Sequence, residues 1–526
     1  MDQLGGVDTG LLAMETSRAP AHSGLLTIFD PLPDGRPLTA DDVVGVLEER
    51  LHLMPPLRRR LAEVPLGLDR PYWFEDPDFD LDFHVRRTGL PAPGTDEQLA
   101  ELVARVHARP LDRSRPLWEL YVVEGLPGGR TAQFTKIHHA AIDATTGVDL
   151  MSTLLDTTPA PPAVEPPAVP WSPDRRPGPS EMLTRAVGSM AARPRTVRRV
   201  VRPLLAALGR AAGETIPPML QTAKEVLERI PGVRDLPGLR GDSGAHGAEV
   251  RPGLTAPRTS FNQRITEHRR TAFCTLDFDD VHRVRDTFGV TVNDVVIAVC
   301  AGALRRWLGA RRELPTDPLL ALVPLSVRDE HTGRHRGTGA DSRVAVIVTA
   351  LATHEADPAR RIRLIASAAA EARRSLDAVP ASLLSDVSAF ASPAVASLAA
   401  RVVSSTRIAN IANPPFNLVI TNVPGPQQPL YCAGARQVAT YAIPAISDGV
   451  GLSISAMSYD GHVHVGAVSC RELMPDLWDL VRMMPDALGE LRALTAGPGT
   501  ASRSGKSRSP TTGRSRAKGE PHGRTA

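Results

Sequence analysis

At 526 residues, with 42% hydrophobic and 23% charged residues, the chain is long enough for two or three domains whose cores need no disulfides. Residues 497–526 hold seven Lys or Arg against one acid, Glu520, and taking that +6 from the overall +3 leaves −3 on residues 1–496. A mildly acidic body with a basic tail argues against a nucleic-acid-binding core, and the scattered cysteines Cys274, Cys300, Cys432 and Cys470 form neither a Cys-x-x-Cys pair nor a secreted disulfide framework.

Along the chain, residues 1–157 alternate strand and helix signals. Leu25 to Phe29 is a short apolar run before a D-P-L-P-D-G turn. Ala40 to Leu61 carries helical spacing through Val43, Val44, Val46, Leu47 and Leu51. Leu117 to Leu126 alternates, P-G-G reverses the chain at Pro127 to Gly129, and Thr131 to Ile137 follows, so a β-hairpin is predicted. Helical spacing returns from Thr145 to Asp156.

Residues 158–260 form a second region. Nine prolines between Pro159 and Pro179 exclude helix and central strand and predict an extended linker. Val197, Val200, Val201, Leu204, Leu205 and Leu208, interleaved with arginines, then define a basic amphipathic helix. Two readings of it stay open, a surface helix packed on its own domain and a lipid-surface contact.

Residues 261–496 make a second α/β region. Strand runs are predicted at Leu319 to Val327, Val344 to Leu351, Phe416 to Asn422 and Gly451 to Met457. Helices are predicted at Val292 to Leu308, Pro358 to Leu376 and Pro475 to Leu494. The Ser/Gly/Arg/Pro-rich residues 497–526 read as a disordered tail. No charged-then-apolar leader opens the chain, and the fourteen-residue apolar run between Asp386 and Arg401 contains Pro393 and is too short to cross a bilayer. A cytoplasmic protein is the expectation.

The chemistry centres on H-H-A-A-I-D-A, where His138 and His139 end the second hairpin strand and Asp143 follows four residues later. Strand alternation sends the two histidines to opposite faces, so only one enters a given cleft. A neutral imidazole suits general-base work on a hydroxyl or thiol that attacks an acyl carbonyl. No G-x-S-x-G elbow is present and no cysteine stands out as a nucleophile, which favours direct transfer without an acyl-enzyme. Adjacent strand histidines share a metal poorly and no H-E-x-x-H exists, so no metal is expected. A buried, hydrogen-bonded histidine pair is the purely structural alternative.

H-H-x-x-x-D-G marks the CoA-dependent acyltransferase superfamily that includes chloramphenicol acetyltransferase and the condensation domains. More specifically, the chain resembles the bacterial wax ester synthase/acyl-CoA:diacylglycerol acyltransferase family. Five further blocks match in order: Glu75 to Arg87; Arg109 to Glu119 with Pro116, Leu117 and Trp118 as P-L-W; Val290 to Ala298 with Asn293 and Asp294 as N-D; Val323 to Arg328; and Thr421 to Pro426. The likeness runs from about Leu4 to Leu494.

The resemblance implies two chloramphenicol-acetyltransferase-like α/β halves joined by a crossover linker, with the active-site channel between them. It implies His139 as general base, Asp143 ordering the loop and His138 supporting the site. Substrate-binding roles would fall to Asn293, Asp294, Pro116, Leu117 and Trp118, with a packed strand entry as the alternative for the last three. The partners would be acyl-CoA and a lipid alcohol, with no bound cofactor, no nucleic acid and peripheral contact with a membrane or lipid inclusion. Two departures stand out. Ala144 replaces the motif glycine, and D-S-R at Asp341 to Arg343 replaces G-N-R. If position 144 needs φ > 0, alanine costs on the order of 1 kcal/mol. The leading expectation is O-acyl transfer from acyl-CoA to diacylglycerol or a fatty alcohol. The alternatives are a catalytically weak lipid-binding or inclusion-coating paralogue and, third, a transferase using a carrier-bound acyl group.

Overall fold

The computed structural model describes residues 1–141, 153–168, 171–192, 256–326, 344–377 and 414–495. The expected helix at residues 195–208, the tail at 497–526, Asp143, Ala144 and Asp341 to Arg343 lie outside them, as do residues 145–152 of the expected helix at 145–156, of which Thr153 and Leu154 are helical.

The first half contains β1 (Asp2–Gln3), α1 (Gly6–Met14), β2 (His22–Phe29), α2 (Ala40–Arg50), β3 (Arg59–Ala62), β4 (Tyr72–Glu75), α3 (Leu81–His84), β5 (Val85–Gly89), α4 (Asp96–His107), β6 (Trp118–Glu124) and β7 (Thr131–His138). Thr39 and Asp42 close a capping box at the start of α2. The expected helix over Ala40 to Leu61 stops at Arg50. Leu51–Leu53 tightens into a 3₁₀ turn, Pro55 opens a second one, and Arg59 begins a strand. The hairpin stands as read, with β6 and β7 antiparallel and Trp118 opposite Ile137. After the extended linker comes α5 (Pro179–Ala192).

The second half contains β8 (Arg269–Asp277), α6 (Phe278–Phe288), α7 (Val292–Ala310), β9 (Leu320–Ser326), β10 (Val344–Ala350), α8 (Pro358–Asp377), β11 (Leu418–Val423), β12 (Tyr431–Cys432), β13 (Ala435–Ile443), β14 (Leu452–Tyr459), β15 (His462–Cys470) and α9 (Leu477–Ala493). Its six-stranded sheet runs β10-β9-β11-β14-β15-β8, and β11 is parallel to both β9 and β14. Every residue of helix α7 from Asp294 to Leu304 is buried, and the helix forms the heart of the larger core with α9 packed against it. No single helix among the described residues is long and apolar enough to cross a membrane, and the bent α6–α7 pair that passes by length and composition includes this core helix.

The first half's sheet runs β12-β13-β2-β7-β6-β5. Chain order divides the molecule near residue 261, but β12 and β13 cross back and complete the sheet of the other half. Strand β13 pairs antiparallel with β2 from Gln437–Phe29 to Ile443–Gly24. The two halves therefore share one core. Leu26, Phe134, Leu99 and Val103 pack with Ile443, Phe273 and Val468. Full burial of each such side chain contributes roughly 1.5–3 kcal/mol.

Two glycines permit close backbone approach. A Cβ on Gly466 of β15 would lie 2.2 Å from the carbonyl oxygen of Ala442 on β13, where the two sheets meet. A Cβ on Gly425, in T-N-V-P-G-P, would lie 2.2 Å from the carbonyl oxygen of Ser458. That block therefore has a packing role beside β14. Gly466→Ala is expected to lower stability by about 1–3 kcal/mol through overpacking at the junction. Thermal unfolding of the two proteins checks this, and an unchanged Tm would contradict it.

Candidate active site

Strand β7 delivers the histidine pair. His138 is its last residue and His139 opens a 3₁₀ turn through Ala141. The expected opposition of the two side chains is what the structure shows: His138 is 1% exposed, whereas His139 is an exposed residue.

His138 is held from several directions. Its backbone N–H donates to the Leu117 carbonyl at 3.0 Å, and its Nδ1 accepts the Ala140 N–H at 3.0 Å. The lone pair therefore lies on Nδ1 and the proton on Nε2. Nε2 faces the Glu15 Oε2 at 3.6 Å, an electrostatic contact too long for a hydrogen bond. Glu15, at the end of α1, also accepts from Arg113 at 2.6 Å. Burial opposes ionisation of Glu15, but His138 and Arg113 outweigh it and hold the pKa at about 2. Arg113 also donates to the Leu12 carbonyl at 2.7 Å and so ties Arg109 to Glu119 to α1.

The same side of β7 carries Lys136, which is fully buried. Its Nζ lies 3.1 Å from Glu119 Oε2 and donates to the carbonyls of Val106 and Arg109 near the end of α4. Burial lowers its pKa, with Glu119 acting in the opposite direction. His22, opposite His138 across β2, bonds through Nε2 to the His107 carbonyl at 2.7 Å. Burial pushes His22 well below the ordinary histidine range and holds His107 at about 3.

His139 sits on the other side. Its backbone N–H donates to the Ala21 carbonyl at 3.0 Å, and its Nε2 lies 2.8 Å from Ser23 Oγ. The residue has accessible surface, yet the protein around it is dense enough that burial, helped by His138, lowers its pKa to about 4. The ring is therefore reachable but poorly hydrated. At neutral pH it is an uncharged imidazole able to accept a proton.

The remaining expected site residues separate. Leu117 is 1% exposed and packs with Leu12 and Ala140 beneath the turn, while its carbonyl holds His138. The Pro116 carbonyl accepts the Trp118 N–H. Trp118 is 3% exposed, stacks on His84 at 4.4 Å and donates Nε1–H to the Leu57 carbonyl at 2.8 Å. P-L-W thus supports the turn from below. Asp294 caps α7: its Oδ2 accepts from Thr291 N at 3.0 Å and Oγ1 at 2.7 Å, and its other oxygen faces Arg373 at 3.7 Å. Asn293 Nδ2 is buried without a hydrogen-bond partner among the described residues.

Glu15, Ser23 and Arg113 were not found by sequence reasoning. Ser23 lies 116 positions from His139 and Glu15 lies 123 from His138, and no local pattern joins them. Burial raises the thiols of Cys274 and Cys300 to about 12 and Cys432 to about 11, so none is poised as a thiolate. Among the described residues, no cluster of three or more His, Cys, Asp or Glu could hold a metal ion. A cavity of about 270 Å³ between the halves, lined by Asp96, Arg130, Thr275, Tyr441, His462 and His464, does not include His139.

Two shared-core α/β halves with a neutral, accessible imidazole at the end of a central strand define an acyltransferase of the two-histidine class. Family comparison agrees: the wax ester synthase/diacylglycerol acyltransferase catalytic domain matches residues 4–296, and the family's C-terminal domain matches residues 341–492. The chain belongs to the wax ester synthase/diacylglycerol acyltransferase family. It is 35% identical over 501 residues to a putative diacylglycerol O-acyltransferase of Mycobacterium tuberculosis, covering 93% of this chain and 90% of that one. It is 30% identical to the O-acyltransferase WSD of Acinetobacter baylyi, covering 93% and 96%. The wax ester synthase/diacylglycerol acyltransferase of Marinobacter aquaeolei VT8 superposes with a TM-score of 0.63 at 26% identity, covering 94% of this chain and all of that one.

The depressed pKa sets the pH response. If His139 acts as the base it must be unprotonated, so the acid limb of kcat/KM is expected near pH 4, not near 6.5. Stability has its own limb. Buried His107 and the poorly hydrated His139 ring bind protons more readily when unfolded, so stability falls as pH drops below about 6.5 toward their folded values. Chemical denaturation across pH 4–7 measures this second limb, and initial rates over the same range measure the first. An acid limb at 6.5 in a protein still folded would contradict the lowered pKa of His139.

Proposed function

We propose that this protein transfers a long-chain acyl group from acyl-CoA to a lipid alcohol, with diacylglycerol the main acceptor and fatty alcohol a second. The observation that carries the reading is the pair of environments at residues 138 and 139: one histidine locked into the fold, the other neutral and accessible. His139 takes the acceptor's proton as its oxygen attacks the thioester carbon. The carbon–sulfur bond then breaks, and CoA leaves as the thiol after recovering a proton. Asn293 Nδ2, a buried donor without a partner among the described residues, is our candidate to stabilise the developing oxyanion. Asp143 is assigned the loop-ordering role on the family motif alone. The reaction as written needs no metal or bound cofactor. An apolar acceptor favours work at a membrane or lipid-inclusion surface, reached by reversible docking.

CoA thiol release from palmitoyl-CoA, with diacylglycerol, hexadecanol or no acceptor, tests the proposal. Acceptor-dependent release is expected, and His139→Ala should lower it by about 10²–10⁴-fold. A His139→Ala protein with full activity would remove the base assignment. A folded wild-type protein silent with every acceptor would instead favour the lipid-binding alternative.

A further inference from the structure

We propose that Ser23 is a proton relay between the acceptor alcohol and His139. The inference rests on the acyl-transfer reading above and adds a residue to it.

Ser23 lies in β2 opposite Ile137, one residue short of the His22–His138 pair. Its side chain thus emerges on the same side of the sheet as those of Ile137 and His139. The 2.8 Å contact between Ser23 Oγ and His139 Nε2 is built into the register. That register runs without a break from His22–His138 to Phe29–Thr131, and the buried His22 side chain pins one end of it. The Ala21 carbonyl holds the His139 backbone from the same strand. Among the described residues, Ser23 is the side chain that bonds to the His139 ring.

A base needs a free lone pair, and Nε2 is the ring nitrogen farthest from the backbone. Ser23 already occupies the approach to it. An acceptor hydroxyl reaches that nitrogen by expelling Ser23 or by acting through it. A serine hydroxyl both donates and accepts, so it can give one proton to Nε2 while taking another. Ser23 is partly accessible, as a relay requires. In the step, the acceptor O–H bond breaks as its oxygen bonds to the thioester carbon. Ser23 Oγ takes that proton and releases its own to Nε2. The carbon–sulfur bond breaks, and the proton held on His139 passes to the departing thiolate.

The test compares Ser23→Ala and Ser23→Thr with wild type, using palmitoyl-CoA and diacylglycerol, with circular dichroism as the folding check. Ser23→Ala should lose about 10- to 100-fold in kcat with KM for palmitoyl-CoA little changed, and Ser23→Thr should keep most of the rate. A proton inventory in mixed H₂O and D₂O gives a readout that a structural role would not move. The wild-type curve should bow, as two protons in flight require, and that of Ser23→Ala should be straight. An unchanged kcat in Ser23→Ala, or a straight wild-type inventory, overturns the relay. So does an acyl adduct on Ser23, detected by mass after incubation with palmitoyl-CoA alone, because it makes the serine a nucleophile. A wild-type protein without acceptor-dependent CoA release overturns the functional reading, and the relay with it.

Discussion

The alternation of side chains along β7 is the constraint from which the site follows. A strand cannot place two successive residues on one face, so the histidine pair is divided between two environments. One environment must then satisfy a buried lysine and a buried histidine. Lys136 does so with Glu119 and two carbonyls near the end of α4, and His138 with the Ala140 N–H and the Leu117 carbonyl. Removing one partner of such a buried charge pair typically costs about 3–5 kcal/mol. The price of misplacing β7 is therefore high, and its tip is held at one height. His139 inherits that position without needing many contacts of its own.

The second constraint is the exchange of strands between halves. Because β13 pairs with β2, the strand carrying Ser23 is flanked by the hairpin on one side and by the second half on the other. Thr271 Oγ1 on β8 reinforces the junction by donating to the Ala100 carbonyl in α4 at 2.6 Å. The contact of Gly466 with Ala442 brings the sheets together at backbone distance. A site built on β2 and β7 is thus tied to both halves, and a separation of the halves would strain the β13–β2 ladder.

Much of this architecture was legible because it is local. The hairpin announced itself by alternation around P-G-G, and α7 by apolar spacing after a polar start. The crossing of β12 and β13 was not legible, since a strand's partner in the other half leaves no mark on its own sequence. The N-D pair shows how a motif can be placed well and read incompletely. Thr291-Val292-Asn293-Asp294 is also a capping signature of the S/T-x-x-D/E kind, and the Asp294 carboxylate closes that cap. Those four adjacent letters carry the helix cap as well as the family motif. P-L-W is similar: Trp118 and Leu117 are spent on packing and on holding His138. Ser23 and Glu15 had no such signal, because their role depends on strand register and on the end of α1.

In the proposed reaction, the low pKa of His139 fixes what else catalysis requires. An imidazole held near 4 is fully available as an acceptor at neutral pH, but it is a weak base. The same burial that frees the lone pair makes the imidazolium costly at the moment the proton arrives. Glu15 does not offset this cost directly, because it faces His138. Proton transfer to such a base is favourable only when it is concerted with attack on the carbonyl and when the new N–H finds an acceptor at once. An oxygen 2.8 Å from Nε2 meets that second demand without adding a charge that would raise the resting pKa. A carboxylate in the same place would hold the histidine protonated at a higher pH and compete with the acceptor for its lone pair. A hydroxyl leaves the imidazole neutral and still receives the proton, which is the compromise that a poorly hydrated site for apolar substrates demands.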